Sequence, residues 1–466
     1  MTAQKRLHLA ISGKHHQALR SHLFPGDGKE AVAFALCGRA RRSDLDLLLV
    51  QDILPIPHEQ CSVRTPTLVT WPGEALDPIL ARAMAKGLAV VKIHSHPTGD
   101  PWFSPTDDES DRVLFPSIYG WLDQPGPLAS AIMLPDGRMV GRAVDEAGIG
   151  APIDCIRVAG DDFLFWHREH GTTVPAHAMR VAQAFGEDTY ARLRRLKIGV
   201  VGCSGTGSIV IEQLARNGVG HLVLIDPDTV EDKNLNRILN STAQDARVAV
   251  NKTLVMKRAI DALGFGTIVT AHPKDVFDKG VLQDLSTCDV IFGCVDSIDG
   301  RHILNKLASA FLIPYIDLGV RLDADGKGGI DSIWLAIHTL QPGGSSLKSR
   351  GVYSQAELEA AFLQRSSPAE YEKQRKEGYI KGLVVNRPAV ISVNMEAAAG
   401  AVNEFLARLH TYRNLANSRY AVRRVCLSDP DASYSEGDGE ACPDMQRLVG
   451  TGDEKPFLRM PALEDD

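Results

Sequence analysis

Four residues in one short stretch have the types and spacing of a hydrolytic metal centre: His94-Ser95-His96-Pro97, then Ser104-Pro105-Thr106-Asp107. A hydrolytic zinc ion takes three nitrogen or oxygen ligands from protein and leaves its fourth position to water, whose pKa there falls to about 7. His94 and His96 can supply two imidazoles, and Asp107 is placed to be the third ligand. Ser104 is placed to donate its hydroxyl to the oxyanion formed when a carbonyl is attacked. The same Ser-Pro-Thr-Asp also reads as a helix start, with a serine N-cap and proline at the first helical position.

The elements that position these groups can be read from the pattern around them. The mostly apolar run 88–93 predicts a buried strand, and side chains two apart on a strand point the same way, so His94 and His96 converge. Further strand-like runs at 7–11, 32–36, 45–50 and 130–134 alternate with helical stretches near 75–86 and 107–115, an α/β unit.

A second constellation begins at the apolar strand 197–201, which runs into Gly202-Cys203-Ser204-Gly205-Thr206-Gly207-Ser208 and the apolar-periodic helix 209–216. Glycines let backbone approach a phosphate, and the helix N-terminus offers free N–H groups to an anion. Asp226, ending the strand 222–225, is placed to accept hydrogen bonds from ribose hydroxyls, so the pattern admits NAD or ATP. Residues further along the chain distinguish the two. Asn234-Leu235-Asn236-Arg237, Lys252 and Asp296 (behind the strand 290–292) offer two cations and an acid around phosphates. Hydride transfer has no use for that set. Nucleotidyl transfer does: Arg237 and Lys252 neutralise developing charge, and Asp296 holds magnesium.

Composition agrees with an enzyme of more than one domain. The 466 residues carry a formal net charge of −7, which gives no general attraction to nucleic acid or anionic membrane. No signal peptide or long apolar span is evident, and the eight cysteines include no Cys-x-x-Cys pair, which suits reduced thiols in a cytoplasmic protein.

The first constellation resembles the JAMM (JAB/MPN-plus) zinc metalloproteases, whose motif is His-x-His-Pro, a spacer and Ser-x-x-Asp. The resemblance spans about 5–145. It implies a cytidine-deaminase-like α/β fold, cleavage at the C-terminus of a ubiquitin-like protein, and a glutamate general base within a segment that Glu30-Ala-Val-Ala-Phe-Ala-Leu-Cys-Gly38 matches; that base is Glu30.

The second resembles the ThiF/MoeB and ubiquitin-activating family, over about 175–412. Its motifs have counterparts in Gly202, Gly205 and Gly207, in Asp226-Pro227-Asp228, in Asn234 to Arg237, in Lys252, and in Asp296 to Arg301. Pro388 to Asn394 and the helix 395–409 resemble the segment that closes the family's Rossmann-like fold. Arg180, six residues before Gly186, matches an arginine that reaches the ATP of a partner subunit, which implies a homodimer. The family forms an acyl adenylate from ATP, with Mg2+, at the C-terminal carboxylate of a ubiquitin-like or sulfur-carrier protein. Two departures stand out: Ser204 replaces a common glycine, and no cysteine occurs between Cys294 and Cys426, where thioester-forming members carry their thiol. Cys442 is the remaining candidate thiol.

The expected plan is a metalloprotease domain at 1–145, a connector at 146–175, an adenylating domain at 176–412 and a partly flexible tail at 413–466. Together these imply trimming and then activation of a ubiquitin-like protein, with hand-off to a conjugating or a sulfur-transfer enzyme. The alternatives are an adenylating enzyme serving a sulfur carrier in metabolite biosynthesis, and a scaffold whose activities have decayed.

Overall fold

The computed structural model describes residues 5–122, 126–169, 171–325, 327–377 and 390–464. The chain divides into two units: Met1–His170 with Ala310–Leu312 and Leu448–Asp466, and Gly171–Ser309 with Ile313–Arg447.

In the first unit the strands are β1 (Arg6–Ser12), β2 (Val32–Arg41), β3 (Leu45–Pro55), β4 (Val63–Thr65), β5 (Leu68–Thr70), β6 (Ala89–Ser95), β7 (Leu128–Met133), β8 (Met139–Val144), β9 (Gly150–Pro152), β10 (Cys155–Ala159) and β11 (Phe163–His167). The helices are α1 (Gly13–Leu23), α2 (Asp77–Lys86) and α3 (Pro105–Trp121). Nine strands form one mixed sheet in the order β11-β10-β1-β3-β2-β6-β7-β8-β9, and β4 and β5 pair separately. His94 lies on β6, buried along its whole length between β2 (antiparallel) and β7 (parallel), and His96 follows one residue past its end. A strand covered on both faces must be apolar nearly throughout, which is why 88–93 lacks polar alternation. Helix α3 begins where the sequence places it and runs on to Trp121.

Two expected boundaries are corrected. In place of a connector at 146–175, the chain forms β9, β10 and β11, which belong to the sheet: β10 pairs in parallel with β1, and β11 folds back antiparallel on β10. The bend 160–162 between two apolar runs is a hairpin signal, and β10 covers backbone donors and acceptors that β1 would otherwise leave at an edge. The tail is likewise structured over its described residues, 413–464. Its strands Val422–Cys426 and Tyr434–Glu436 extend the second unit's sheet, and Leu448–Asp466 belongs to the first unit. There Asp453 accepts two bonds from the Arg42 guanidinium (2.8 and 3.0 Å) and one from the Arg41 N–H (2.9 Å).

The second unit contains α4 (Met179–Phe185), α5 (Glu187–Arg195), β12 (Lys197–Val201), α6 (Gly205–Arg216), β13 (His221–Ile225), α7 (Ala243–Arg247), α8 (Lys252–Leu263), β14 (Ile268–His272), α9 (Lys279–Leu285), β15 (Val290–Gly293), α10 (Ile298–Ala310), β16 (Tyr315–Ala324), β17 (Ile330–Leu340), α11 (Gln355–Ser366), α12 (Pro368–Lys376), α13 (Ile391–Leu409), β18 (Val422–Cys426) and β19 (Tyr434–Glu436). The sheet order is β14-β13-β12-β15-β16-β17-β18-β19; it is parallel from β14 to β16 and antiparallel beyond. From β12 the chain moves out to β13 and β14, then returns to the other side of β12 as β15. The carboxyl ends of β12 and β15 thus flank a topological switch point, where open α/β sheets bind ligands. No helix among the described residues is long and apolar enough to cross a membrane.

Candidate functional site

In the first unit, the strand period and the helix start bring the predicted ligands together. His94 Nε2 lies 3.1 Å from His96 Nε2 and 2.9 Å from Asp107 Oδ1, and His96 Nε2 lies 3.5 Å from Asp107 Oδ2. These three residues are the one metal-capable group of histidine, cysteine and carboxylate side chains among the described residues. Two imidazole nitrogens and a carboxylate oxygen at such separations repel one another unless a cation, proton or metal, stands between them. His96 fits the ligand role further: its Nδ1 bonds the Asp100 carbonyl at 2.9 Å, which leaves Nε2 to face inward with its lone pair. His94 Nδ1 is buried and has no partner among the described residues.

The electrostatics reflect this crowding. Burial lowers the His94 pKa below its ordinary value. At His96 burial acts the same way, but the bonds to Asp107 and to the Asp100 carbonyl outweigh it and raise the pKa. Burial would raise Asp107, yet His94, His96 and Ser104 hold it well below the usual carboxylate range.

Ser104 is the N-cap of α3, and its hydroxyl donates to Asp107 Oδ2 at 2.7 Å while accepting from the Asp107 N–H. It therefore orients the carboxylate in this structure, and donation to an oxyanion would require it to leave that bond. Glu30 sits just before β2 and is 6 % exposed; burial pushes its carboxyl up to about 7, with Asp107 adding to the rise and His96 opposing it. A carboxylate near 7 is poised to take and return a proton at neutral pH.

In the second unit the glycine turn between β12 and α6 is tight on every side. Gly202 has φ +91°, and a Cβ there would lie 2.5 Å from the Cys294 carbonyl oxygen. At Gly207 a Cβ would lie 1.8 Å from the Gly202 carbonyl oxygen. These two glycines are demanded by the turn itself. Gly205 is different: a Cβ there would meet Asn394 Nδ2 at 2.4 Å and Arg237 Cδ at 3.3 Å, which places Arg237 and Asn394 beside the amino end of α6. Asn394 is 4 % exposed on α13; the family's closing segment includes it, but no motif spacing marks it out for a role at this turn. Pro388, at the start of that segment, lies outside the described residues.

Asp226 follows β13 and is buried. Its carboxylate accepts from the Cys203 N–H at 2.7 Å and the Asp228 N–H at 2.9 Å, tying the glycine turn to the end of β13. Asp228 is the more exposed acid and receives Lys252 Nζ at 2.8 Å, while Lys252 stands 3.8 Å from Asp226. Asn234 is buried, its side chain accepting from the Glu231 N–H, so it shapes the turn that carries Arg237. Arg237 donates to the Lys233 carbonyl at 2.7 Å. Asp296 is exposed between β15 and α10. Arg301 is half-buried and pairs with Asp317 at 3.4 Å while bonding the Val295 carbonyl, a structural brace beneath Asp296. Arg180 is exposed on α4 and contacts Gln183 at 3.3 Å. The turn, the helix end, two cations and an exposed acid form a donor set suited to a magnesium nucleotide.

Comparison with known proteins agrees in both units. The ThiF family matches residues 177–424, and the prokaryotic homologs of the JAB domain match residues 12–145. A sulfur carrier protein adenylyltransferase of Thermus thermophilus is 30% identical over 151 residues, 32% of this chain and 55% of that protein. Ubiquitin-like modifier-activating enzyme 5 of Arabidopsis thaliana is 30% identical over 151 residues, 29% of this chain and 35% of that protein. The chain thus spans little more than a third of the length of the modifier-activating relatives it matches. Among solved structures, E. coli MccB with MccA-N7isoASN aligns at a TM-score of 0.45 and 19% identity, covering 58% of this chain and 74% of MccB. The ThiF match alone exceeds half of the sequence: the chain belongs to the ThiF family, with a JAB-type domain at its N-terminus.

Proposed function

We propose that the chain processes and activates a ubiquitin-like or sulfur-carrier protein, cleaving at its C-terminus with the first unit and adenylating the exposed carboxylate with the second. The observation that carries this reading is the convergence of His94, His96 and Asp107 beside buried Glu30, in a chain that also holds the glycine turn with Lys252 and Arg237. The first activity creates a carboxylate and the second consumes one.

In the cleavage step His94, His96 and Asp107 would hold a zinc ion, which supplies Lewis acidity toward the carbonyl and the attacking water. Ser104 fixes the Asp107 carboxylate. Glu30 accepts the proton from that water and returns it to the leaving amine. In the activation step the α6 amino end and Arg237 would face the phosphates, Lys252 would turn from Asp228 to the nucleotide, and Asp296 would hold magnesium, which supplies positive charge to the phosphates. The carboxylate attacks the α-phosphorus, the bond to the bridging oxygen breaks and pyrophosphate leaves. Arg180 belongs to this reading as a residue offered to a second copy of the chain.

Hand-off to a separate protein suits the cysteines. Six of the eight are buried, and Cys61 and Cys294 are only partly exposed. Cys442, the candidate thiol, is 4 % exposed. The relative named a sulfur carrier protein adenylyltransferase favours a sulfur-carrier substrate as the second form of the same reading. The test is to supply the purified chain with zinc, ATP, magnesium and a ubiquitin-like protein whose C-terminal glycine bears a short extension. Loss of the extension and pyrophosphate exchange into ATP are expected. Exchange driven equally well by a small carboxylic acid would replace the protein substrate with a metabolite.

A further inference from the structure

Directly beneath the three ligands lies a second set of charges that neither motif includes. Lys92 is on β6 two residues before His94, so the two share one strand face, and His96 follows two residues on, just past the strand's end. Asp111 is on α3 four residues after Asp107, so these two acids share one helix face. The Lys92 ammonium bonds the Asp111 carboxylate, and their side chains are 3 % and 0 % exposed. Two strand residues advance roughly 6.6 Å and four helix residues about 6 Å. The steps nearly match, so the Lys92–Asp111 pair forms a rung parallel to the His94–Asp107 contact.

Arg142, on β8, locks this rung to the helix. Its Nε and Nη2 reach Asp111 Oδ2 at 2.9 and 2.6 Å, its Nη1 reaches Asp108 Oδ1 at 2.5 Å, and its Nη2 bonds the Asp107 carbonyl at 3.2 Å. The guanidinium also lies 3.9 Å over the Phe103 ring, whose centroid is 6.3 Å from that of His94. One side chain thus grips the turn of α3 that presents Asp107. Ser130 and Ser110 complete the set, donating to Asp111 and accepting from Lys92.

Buried ion pairs cost desolvation and are weak sources of stability; their best-attested use is to fix register. We propose that Lys92, Asp111 and Arg142 are positioning residues that set the register of α3 on β6, so that His94, His96 and Asp107 are arranged for the ion before it binds. This rests on the zinc reading above. Without the rung, a shift of α3 along β6 separates Asp107 from the imidazoles, and the ion must hold the helix in place as well as bind.

The test is zinc affinity of the full chain, measured by competition with a chromophoric chelator, beside thermal unfolding of the metal-free protein. Arg142→Met removes the grip on α3 and keeps an apolar stem; Lys92→Met with Asp111→Leu removes both buried charges together. Each is expected to weaken zinc binding roughly 10- to 100-fold. Arg142→Lys, which retains charge without the fork, covers the case in which the methionine variant fails to fold and should weaken binding less. Variants that melt earlier but bind zinc as tightly as the parent would overturn the proposal, reducing the rung to general packing. A parent chain that binds no zinc would instead remove the metal reading itself.

Discussion

Glu30 stands two residues before Val32, which opposes His94 in the antiparallel ladder, and is near enough to His96 for the imidazole's charge to act on its carboxyl. The Ser95 N–H bonds the Ala31 carbonyl at 3.0 Å, which carries the pairing past the last ladder residue and holds Glu30 against the ligand edge.

Glu30→Gln should therefore keep the metal and lose cleavage. The amide preserves shape but cannot accept a proton, and loss of a general base costs roughly 10²- to 10⁴-fold in rate. Zinc content and the cleavage rate of an extended substrate, measured on one preparation, check this. Full residual cleavage would assign the base elsewhere.

Asp296→Ala and Lys252→Ala should each cut pyrophosphate exchange by about 10²-fold or more, as expected when a group neutralising transition-state charge is lost. Cleavage by the first unit should stay at the parent rate. A parallel fall in cleavage would show that the two activities are coupled.

Gly38→Ala should destabilise the first unit without touching zinc. A Cβ at residue 38 would lie 2.1 Å from the Gly450 carbonyl oxygen, so β2 and the C-terminal segment must move apart. Overpacking of this kind costs roughly 1–3 kcal/mol. A lower melting temperature with unchanged zinc affinity is the expected result.

His338 should make the second unit acid-sensitive. It is 2 % exposed, its Nδ1 is unpartnered among the described residues, and burial with the nearby Arg350, Arg424 and Arg301 pushes its pKa down to about 3. The unfolded chain takes up a proton below its ordinary value of 6.5, while the folded chain resists until about 3. Stability is therefore full above the unfolded pKa and falls as pH drops through that window, by about 1.4 kcal/mol per pH unit. Denaturant midpoints at pH 7 and pH 5 should differ less in His338→Gln than in the parent.

Much of both sites is legible in the sequence because their geometry is local. His94 and His96 are two apart at the end of a strand, and Ser104 caps the helix that carries Asp107; the glycine turn is a single loop, and Gly202 and Gly207 are required by its own backbone. What spacing conceals is partnership across the sheet. Nothing near Asp111 announces that Lys92 and Arg142 meet it, since the three lie on different elements. Asp226 ends a strand as a ribose-binding acid does, and spacing does not show that its carboxylate also accepts from the Cys203 and Asp228 N–H groups. The hairpin β10–β11 is signalled by its bend at 160–162, but Arg157 interrupts the apolar run of β10 and hides its place in the sheet, and the docking of the C-terminal segment rests on the Arg42–Asp453 pair, 411 residues apart in sequence.

The most direct measurement of the central claim is pyrophosphate exchange driven by a ubiquitin-like substrate that still carries its C-terminal extension, compared between the parent chain and Glu30→Gln. The parent should exchange after a lag set by trimming. The variant should stay silent until it is given substrate already ending in glycine. Equal exchange by both chains with the extended substrate would contradict the account, because activation would then owe nothing to the metal centre.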